Sequence, residues 1–208
     1  MTTVRCDMTT SLDGFVCGPA ALGPPYVDDG FHRVTRWITE VFSWRERHGQ
    51  AGGTKSADDE IAAEMVDGAG AYVMGRRMFD SGEEPWGDTP PFRAPVFVVT
   101  HREREPLHRN GGTTFYFVTE GVRAAIDRAK VTAGDRDVHV SGGADIVTQA
   151  VSDGLVDDLH LHVAPVLLGG GTRLFDGLRP GIVELAKVRV VDSAQVTHLS
   201  YRFSRGMR

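Results

Sequence analysis

VHVSGGADIVTQAVSDGLVDDLHLHVAPVLLGGGTRLF, residues Val138 to Phe175, is the stretch that decides the architecture. Val138 and Val140 open it as a short buried strand. Ser141, Gly142 and Gly143 follow as a turn that needs positive φ or close backbone approach. Ile146, Val147, Ala150 and Val151 then share one face of a helix. A strand containing His160 and His162 and a glycine loop from Leu167 to Thr172 complete the run. Strand, glycine turn, helix, strand and glycine loop is the order by which an α/β sheet exposes backbone N–H groups. The first N–H groups of a helix are unpaired, so a helix directly behind a glycine pair is a ready anion site. The same residues also suit a plain strand-to-helix turn. Asp145 fits the first helical turn as a partner of the dipole, so its carboxylate need not touch a ligand.

Outward from this stretch the chain keeps alternating. Val4 to Thr10 is a first strand ending at the turn Ser11-Leu12-Asp13-Gly14, and Gly18 to Gly30 is a long loop. Phe31, Val34, Trp37, Ile38, Val41 and Phe42 predict one amphipathic helix to about Trp44. Ser56 with Asp59 resembles a capping box for a second helix, after the glycine-rich connection Gly49 to Ser56. Ala71 to Met74 is a strand running into Gly75-Arg76-Arg77, and Gly82 to Pro91 is expected as a loop. Pro95 to Thr100 and Thr113 to Val118 are strands, the latter followed by Thr119 as a helix cap. Ile182 to Val191 and Gln195 to Phe203 close the sheet as antiparallel strands. This pattern predicts an α/β domain with a mostly parallel sheet, spanning residues 1–208 as one unit.

Composition excludes several classes of function. Hydrophobic content of 41% and charged content of 25% are those of a soluble globular protein. A formal charge of −5 argues against nucleic acid as a partner. No apolar run approaches the ~18 residues of a membrane span, and the N-terminus lacks a signal-peptide core. Cys6 and Cys17 stand alone, so neither a zinc site nor a disulfide framework is expected, and the compartment is cytoplasmic. His160 and His162 face one way along their strand, yet no third metal ligand accompanies them.

Five segments, in order, resemble the dihydrofolate reductase-like superfamily, and within it the reductase domain of riboflavin biosynthesis. They are MTTSLDGFVCGP (Met8 to Pro19), YVMGRRMF (Tyr72 to Phe79), VFVVTHR (Val96 to Arg102), VHVSGGADIVTQAV and LHLHVAPVLLGGGTRLF. The resemblance implies a three-layer α/β/α sandwich, NADPH as cofactor and hydride transfer to a pterin- or pyrimidine-like heterocycle. The H-x-E and P-C-x-x-C signature of a zinc deaminase is absent from the sequence, so a standalone reductase domain is expected. The acidic residue that folate-reducing relatives carry on the first helix has no clear counterpart here, Glu40 being the only acid well inside it.

The resemblance also assigns roles. Gly75, Arg76 and Arg77, at a strand end, would approach and pair with phosphate, or be a turn with two solvated arginines. Thr100 and His101, with Arg102, suit an adenosine 2′-phosphate and so favour NADPH over NADH. Gly142, Gly143, Ala144, Asp145 and Ile146 would hold the pyrophosphate. Asp13 would orient substrate or relay a proton, or simply form its Asp-Gly turn. Trp37 would wall the substrate pocket, or sit in the core. A homodimer is expected, since relatives pair and the C-terminal strands are apolar. A protein that kept the dinucleotide groove without catalysis is the alternative.

Overall fold

The computed structural model describes residues 2–22 and 27–204. The first half comprises β1 (Val4–Ser11), β2 (Phe15–Cys17), α1 (Asp29–Thr39), α2 (Phe42–Arg47), α3 (Ala57–Asp67), β3 (Ala69–Gly75) and α4 (Arg76–Trp86). Then come β4 (Pro95–Val99), β5 (Leu107–His108), β6 (Thr114–Val118), α5 (Val122–Ala133), β7 (Asp137–Gly142) and α6 (Ala144–Ser152). The last strands are β8 (Asp158–Ala164), β9 (Thr172–Arg173), β10 (Leu185–Asp192) and β11 (Thr197–Phe203). Nine strands make one sheet, ordered β10-β11-β8-β1-β7-β3-β4-β6-β5. The run from β8 to β6 is parallel throughout, while β11 and β10 return antiparallel. β2 and β9 form a separate antiparallel ribbon.

Period-two alternation assigns the faces. Val4, Cys6 and Met8 of β1 join Val138, Val140, Ile126 and Val147 in the core beneath α5 and α6. On β3, Ala71 and Val73 point the same way, whereas Tyr72 and Met74 pack with Phe79, Val96 and Phe115 beneath α4. Thr9, on the opposite face of β1 from Met8, accepts a hydrogen bond from Trp37 of α1 at 3.2 Å. Helices α1 to α4 therefore cover one face and α5 and α6 the other. This is the expected three-layer α/β/α sandwich. Among the described residues no helix is long and apolar enough to cross a membrane.

Four local expectations are corrected. The helix from Phe31 to Trp44 is broken: α1 ends at Thr39, Val41 bridges to Thr54, and α2 begins at Phe42. The breaker is the connection Gly49 to Ser56, whose Thr54 donates to the Glu40 carbonyl at 3.0 Å and accepts from Phe42 N–H at 3.0 Å. Helical hydrogen bonds at that point are replaced by these. Secondly, the loop expected from Gly82 starts only after Trp86; the Trp86 ring folds over Gly82, where a Cβ would collide with it. Thirdly, Gly121, not Thr119, caps α5, and Thr119 instead bonds the Glu120 carboxylate. Fourthly, the Ser56 cap is one-sided: Ser56 accepts from Asp59 N–H at 3.4 Å, while the Asp59 carboxylate caps Ser43 N–H of α2 at 2.6 Å. Within the loop expected from Gly18 to Gly30, residues Pro19–Leu22 form a 3-10 turn, and residues 23–26 lie outside the described ones.

Gly53 carries the crossing. Its φ is +110°, and a Cβ there would stand 2.6 Å from the Phe42 Cα. Gly49 also has positive φ, +68°, but a Cβ would meet nothing within 4 Å. Gly53→Ala is therefore expected to lower stability by roughly 2–3 kcal/mol. Gly49→Ala should stay within about 1 kcal/mol of the parent. Urea midpoints of the two variants check this, and equal midpoints would contradict it.

Candidate active site

Because β3, β4, β6 and β7 are parallel, their carboxyl ends share one edge, the edge where open α/β sheets bind ligands. A groove of about 440 Å³ lies there. Gly75, Arg76, Arg77, Thr100, His101, Gly143, Ala144, Asp145 and Ile146 all line it. Gly142 stands behind, and neither Asp13 nor Trp37 reaches it.

Each glycine has its own reason. Gly142 has φ +115°, so it takes the left-handed conformation, and the peptide joining it to Gly143 is cis. Gly143 has φ −70° and caps α6; a Cβ there would meet nothing within 4 Å. The positive φ of the turn therefore belongs to Gly142 alone, while Gly143 keeps the groove floor open. Gly75 is required by packing, since a Cβ would lie 2.8 Å from Ile146 Cγ1. Ile146 N–H of α6 already donates to the Gly143 carbonyl at 3.0 Å, so the N–H groups of its first turn without an intrahelical acceptor are those of Ala144 and Asp145, both of which line the groove.

The arginines are not equivalent. Arg76 Nε donates to Asp80 at 2.6 Å, four residues on, and its guanidinium lies over Phe79 and Phe117 at 5.7 and 5.9 Å. Arg102, mostly exposed, approaches the other Asp80 oxygen at 3.8 Å. Thr100 is buried and accepts from Arg102 N–H at 3.1 Å, a turn that sets the exposed His101 and Arg102 at the rim. Arg77 and His101 have no side-chain partner among the described residues. Among the described residues the groove cations without a side-chain partner are thus Arg77 and His101, Arg102 being held loosely and Arg76 closely by Asp80.

Asp13 serves the glycine loop. Its carboxylate accepts from Ser11 Oγ at 2.6 Å, from Leu168 N–H at 3.1 Å and from Gly169 N–H at 2.8 Å. The Ser11 hydroxyl above all, then the two amides, hold its pKa at about 2. The carboxyl is thus held ionised, and both its oxygens are engaged as acceptors. What it does is fasten residues 167–171 to the end of β1. Arg173 reinforces this by donating to the Asp13 carbonyl at 2.9 Å and lying over the Phe15 ring at 4.3 Å. The β2–β9 ribbon then carries Thr172 into the groove wall.

Trp37 is 1% exposed and packed against His162 and His198, with ring centroids 4.8 and 4.9 Å away. It offers no open face for a heterocycle to stack on. Glu40 accepts from Arg36 at 2.8 Å and from Gln195 at 3.1 Å, so both its oxygens are engaged away from the groove. His160 bonds Asp7 at 2.9 Å and His162 bonds His198 at 2.7 Å. Among the described residues no three or more His, Cys, Asp or Glu side chains form a metal-ligand set. The groove residues that sequence reasoning missed are Asp80, Val99, Thr119, Gly121 and Gln149, while Thr172 ends the glycine loop it had singled out. Asp80 alone had a signal, the i,i+4 spacing from Arg76.

A family profile described as the RibD C-terminal domain matches residues 2–199. The chain belongs to the RibD C-terminal domain family. Among curated proteins, YyaP of Bacillus subtilis strain 168, described as uncharacterized, is 24% identical over 131 residues, covering 60% of this chain and 69% of that protein. YwjB of the same strain, also described as uncharacterized, is 36% identical over 62 residues, 30% of this chain and 35% of that protein. Among solved structures, a protein assigned to riboflavin biosynthesis from Shewanella sp. PV-4 superposes with TM-score 0.66 at 20% identity, covering 99% of this chain and all (100%) of that one. Dihydrofolate reductase from Enterococcus faecalis, complexed with NADP(H), gives TM-score 0.54 at 14% identity, over 97% and 96% of the two chains. At these identities the superpositions establish the fold: this RibD C-terminal-type chain has the dihydrofolate reductase-like architecture.

The Asp13 strap makes a pH prediction. Its folded pKa lies below the ordinary 3.8, so its contribution is present above pH 3.8 and is lost as pH falls through about 2. Protection of the Leu168 and Gly169 amides should persist at pH 4 and disappear towards pH 2, read by hydrogen exchange. In Asp13→Asn the same amides should be unprotected already at neutral pH. Unchanged protection in that variant would show that the loop is held by other means.

Proposed function

We propose that the chain is an NADPH-dependent reductase that delivers hydride to a small planar heterocycle of pterin or pyrimidine type. The observation that carries this reading is the convergence of nine residues, chosen from sequence, on one groove at the carboxyl edge. A dinucleotide fits what is there: a helix N-terminus, a floor cleared at Gly143, and unpaired cations on the rim. The nicotinamide supplies the hydride when bound. The amides of α6 would hold the pyrophosphate, and Arg77, His101 and Arg102 the 2′-phosphate. Thr172, positioned by the Asp13 strap, would close the substrate side. Filling of the space beneath α1 by Trp37 and two histidines argues against a pterin seated there and favours a substrate at the groove mouth. The absence of Asp13 and Trp37 from the groove favours one second reading, a dinucleotide-binding protein without catalysis. NADPH oxidation against a panel of pterins, pyrimidines and quinone-like acceptors separates the two, and no turnover with any of them would leave the binding protein.

Cofactor choice gives a sharper expectation. A hydrogen bond to a charged group contributes roughly 1.5–3 kcal/mol, about 10- to 150-fold in affinity. Arg77→Ala should therefore weaken NADPH by about that factor and leave NADH nearly unchanged. Arg76→Ala should discriminate less, because Asp80 already holds that guanidinium. Gly143→Val should weaken both cofactors alike, with circular dichroism unchanged. Calorimetry on the three variants checks this; equal losses of the two cofactors in Arg77→Ala would remove the 2′-phosphate assignment.

We also propose that two copies pair through β10. It is an edge strand exposed on both faces, with Val188 at 58% and Val190 at 50%. Such an edge invites another strand unless it is blunted. Light scattering at micromolar concentration should give a dimer mass, and Val188→Lys should give a monomer. A monomeric parent would end the proposal.

A further inference from the structure

The sheet face beneath α3 carries polar side chains that the groove does not use. Asp7 of β1 pairs in register with His160 of β8, and His160 with Ser200 of β11, so the three side chains stand in a row on one face. Beside His160 and Ser200 lies a cavity of about 200 Å³, walled by Ile61 and Met65 of α3 and by Val188 of β10. That is room for far more than a single water. None of its lining residues borders the groove at the carboxyl edge.

Two polar groups in this cavity are unused. His160 Nδ1 meets Asp7 Oδ1 at 2.9 Å, and the Asp7 side chain is fully buried. A carboxylate only accepts, so this bond puts a proton on Nδ1 and leaves Nε2 of the neutral ring as an acceptor. Burial alone would raise the Asp7 carboxyl, but His139, the His160 hydrogen bond and Arg5 outweigh it and hold it well below its ordinary range. His160 Nε2 and the Ser200 hydroxyl have no hydrogen-bond partner among the described residues. Facing residues on neighbouring strands hold their Cβ atoms about 4.5–5.5 Å apart. The acceptor and the hydroxyl are therefore close enough to meet adjacent atoms of one ring.

Charge around the cavity is already matched. Arg5 pairs with Asp7 at 3.2 Å, Arg189 of β10 with Glu64 of α3 at 3.0 Å, and Arg202 of β11 with Asp158 of β8 at 2.8 Å. An ionic guest would have to break one of these pairs or stay unpaired itself. The apolar wall of Ile61, Met65 and Val188 suits the face of a flat ring, and the free acceptor beside a hydroxyl suits an edge that both donates and accepts. We propose that this cavity is a second ligand site, taking a single uncharged ring with a lactam edge. The ring N–H donates to His160 Nε2, the adjacent C=O accepts from Ser200 Oγ, and Asp7 fixes the tautomer that makes His160 an acceptor.

Titration of the full chain with 2-pyridone, followed by nitrogen–proton NMR at about pH 8, where an ordinary histidine is neutral, tests this. Saturable shifts are expected in amides of α3, β8 and β11 and in the His160 ring nitrogens, while the α6 amides at the groove stay in place. N-Methyl-2-pyridone, which lacks the N–H, should bind at least about tenfold more weakly. His160→Phe keeps a flat ring without the acceptor and should abolish the difference between the two probes. Ser200→Ala should weaken 2-pyridone about 3- to 10-fold. Acetate and methylammonium, as charged probes, should give no saturable shift in these amides. No saturable shift with 2-pyridone, shifts confined to the groove, equal affinity for the two pyridones, tighter binding of a charged probe, or a His160 ring protonated on Nε2 alone would each overturn the proposal. Should His160→Phe fail to fold, the two pyridones compared on the parent decide the matter.

Discussion

Parallel strands joined by crossovers must all run the same way, and that requirement governs where chemistry can gather in this molecule. α4 links β3 to β4, α5 links β6 to β7, and α6 links β7 to β8, each returning the chain to the same starting edge. Gly75, Val99, Val118 and Gly142 consequently end side by side although they are far apart in sequence. Were β3 and β7 antiparallel, the arginines of Gly75-Arg76-Arg77 and the N-terminus of α6 would lie at opposite ends of the sheet. β1 sits at the middle of the arrangement, between β7 and β8. Its two faces divide the work, apolar towards α5 and α6, polar towards α1 and α3.

Positive charge reaches the groove from two different sources. The α6 amides present fixed partial charges that need no counter-ion. The guanidinium groups are mobile, and Asp80 moderates them by holding Arg76 close and Arg102 loosely. An incoming phosphate must compete with Asp80 for Arg102, whereas it meets Arg77 and His101 without a rival. Those two exposed residues support no packing in the core, so the rim carries mobile charge and the floor carries shape.

Much of this was legible along the chain wherever the cause was local. The apolar run Pro95–Val99 and the Gly142–Gly143 turn into α6 declare themselves within ten residues, and so does the strand end at Gly75. Where the cause was distant, sequence reasoning failed. Nothing near Glu40 says that the helix stops; the reason is the Thr54 backbone arriving from the following connection. The helix through Gly82 is sustained by Trp86 folding back on it. For Asp13 the sequence shows the Asp-Gly turn, which is there, but not that its carboxylate meets the amides of Leu168 and Gly169, some 155 residues further on. Trp37, left by the sequence between pocket wall and core, is in the core against His162 and His198, whose strands pair only in the folded sheet.

The missing side chain at position 75 has a wider consequence. With Ile146 Cγ1 standing 2.8 Å from where a Cβ would be, the spacing between β3 and α6 is set by an absent methyl group. Any larger residue there would lever α6 outward and carry its N-terminus away from the arginines, detuning both halves of the groove at once. Substitutions at the exposed positions 77, 101 and 102 therefore leave this packing alone, whereas a side chain at 75 must displace Ile146. An engineer reshaping the groove, like natural drift within the family, has an editable rim around a packing contact that resists change.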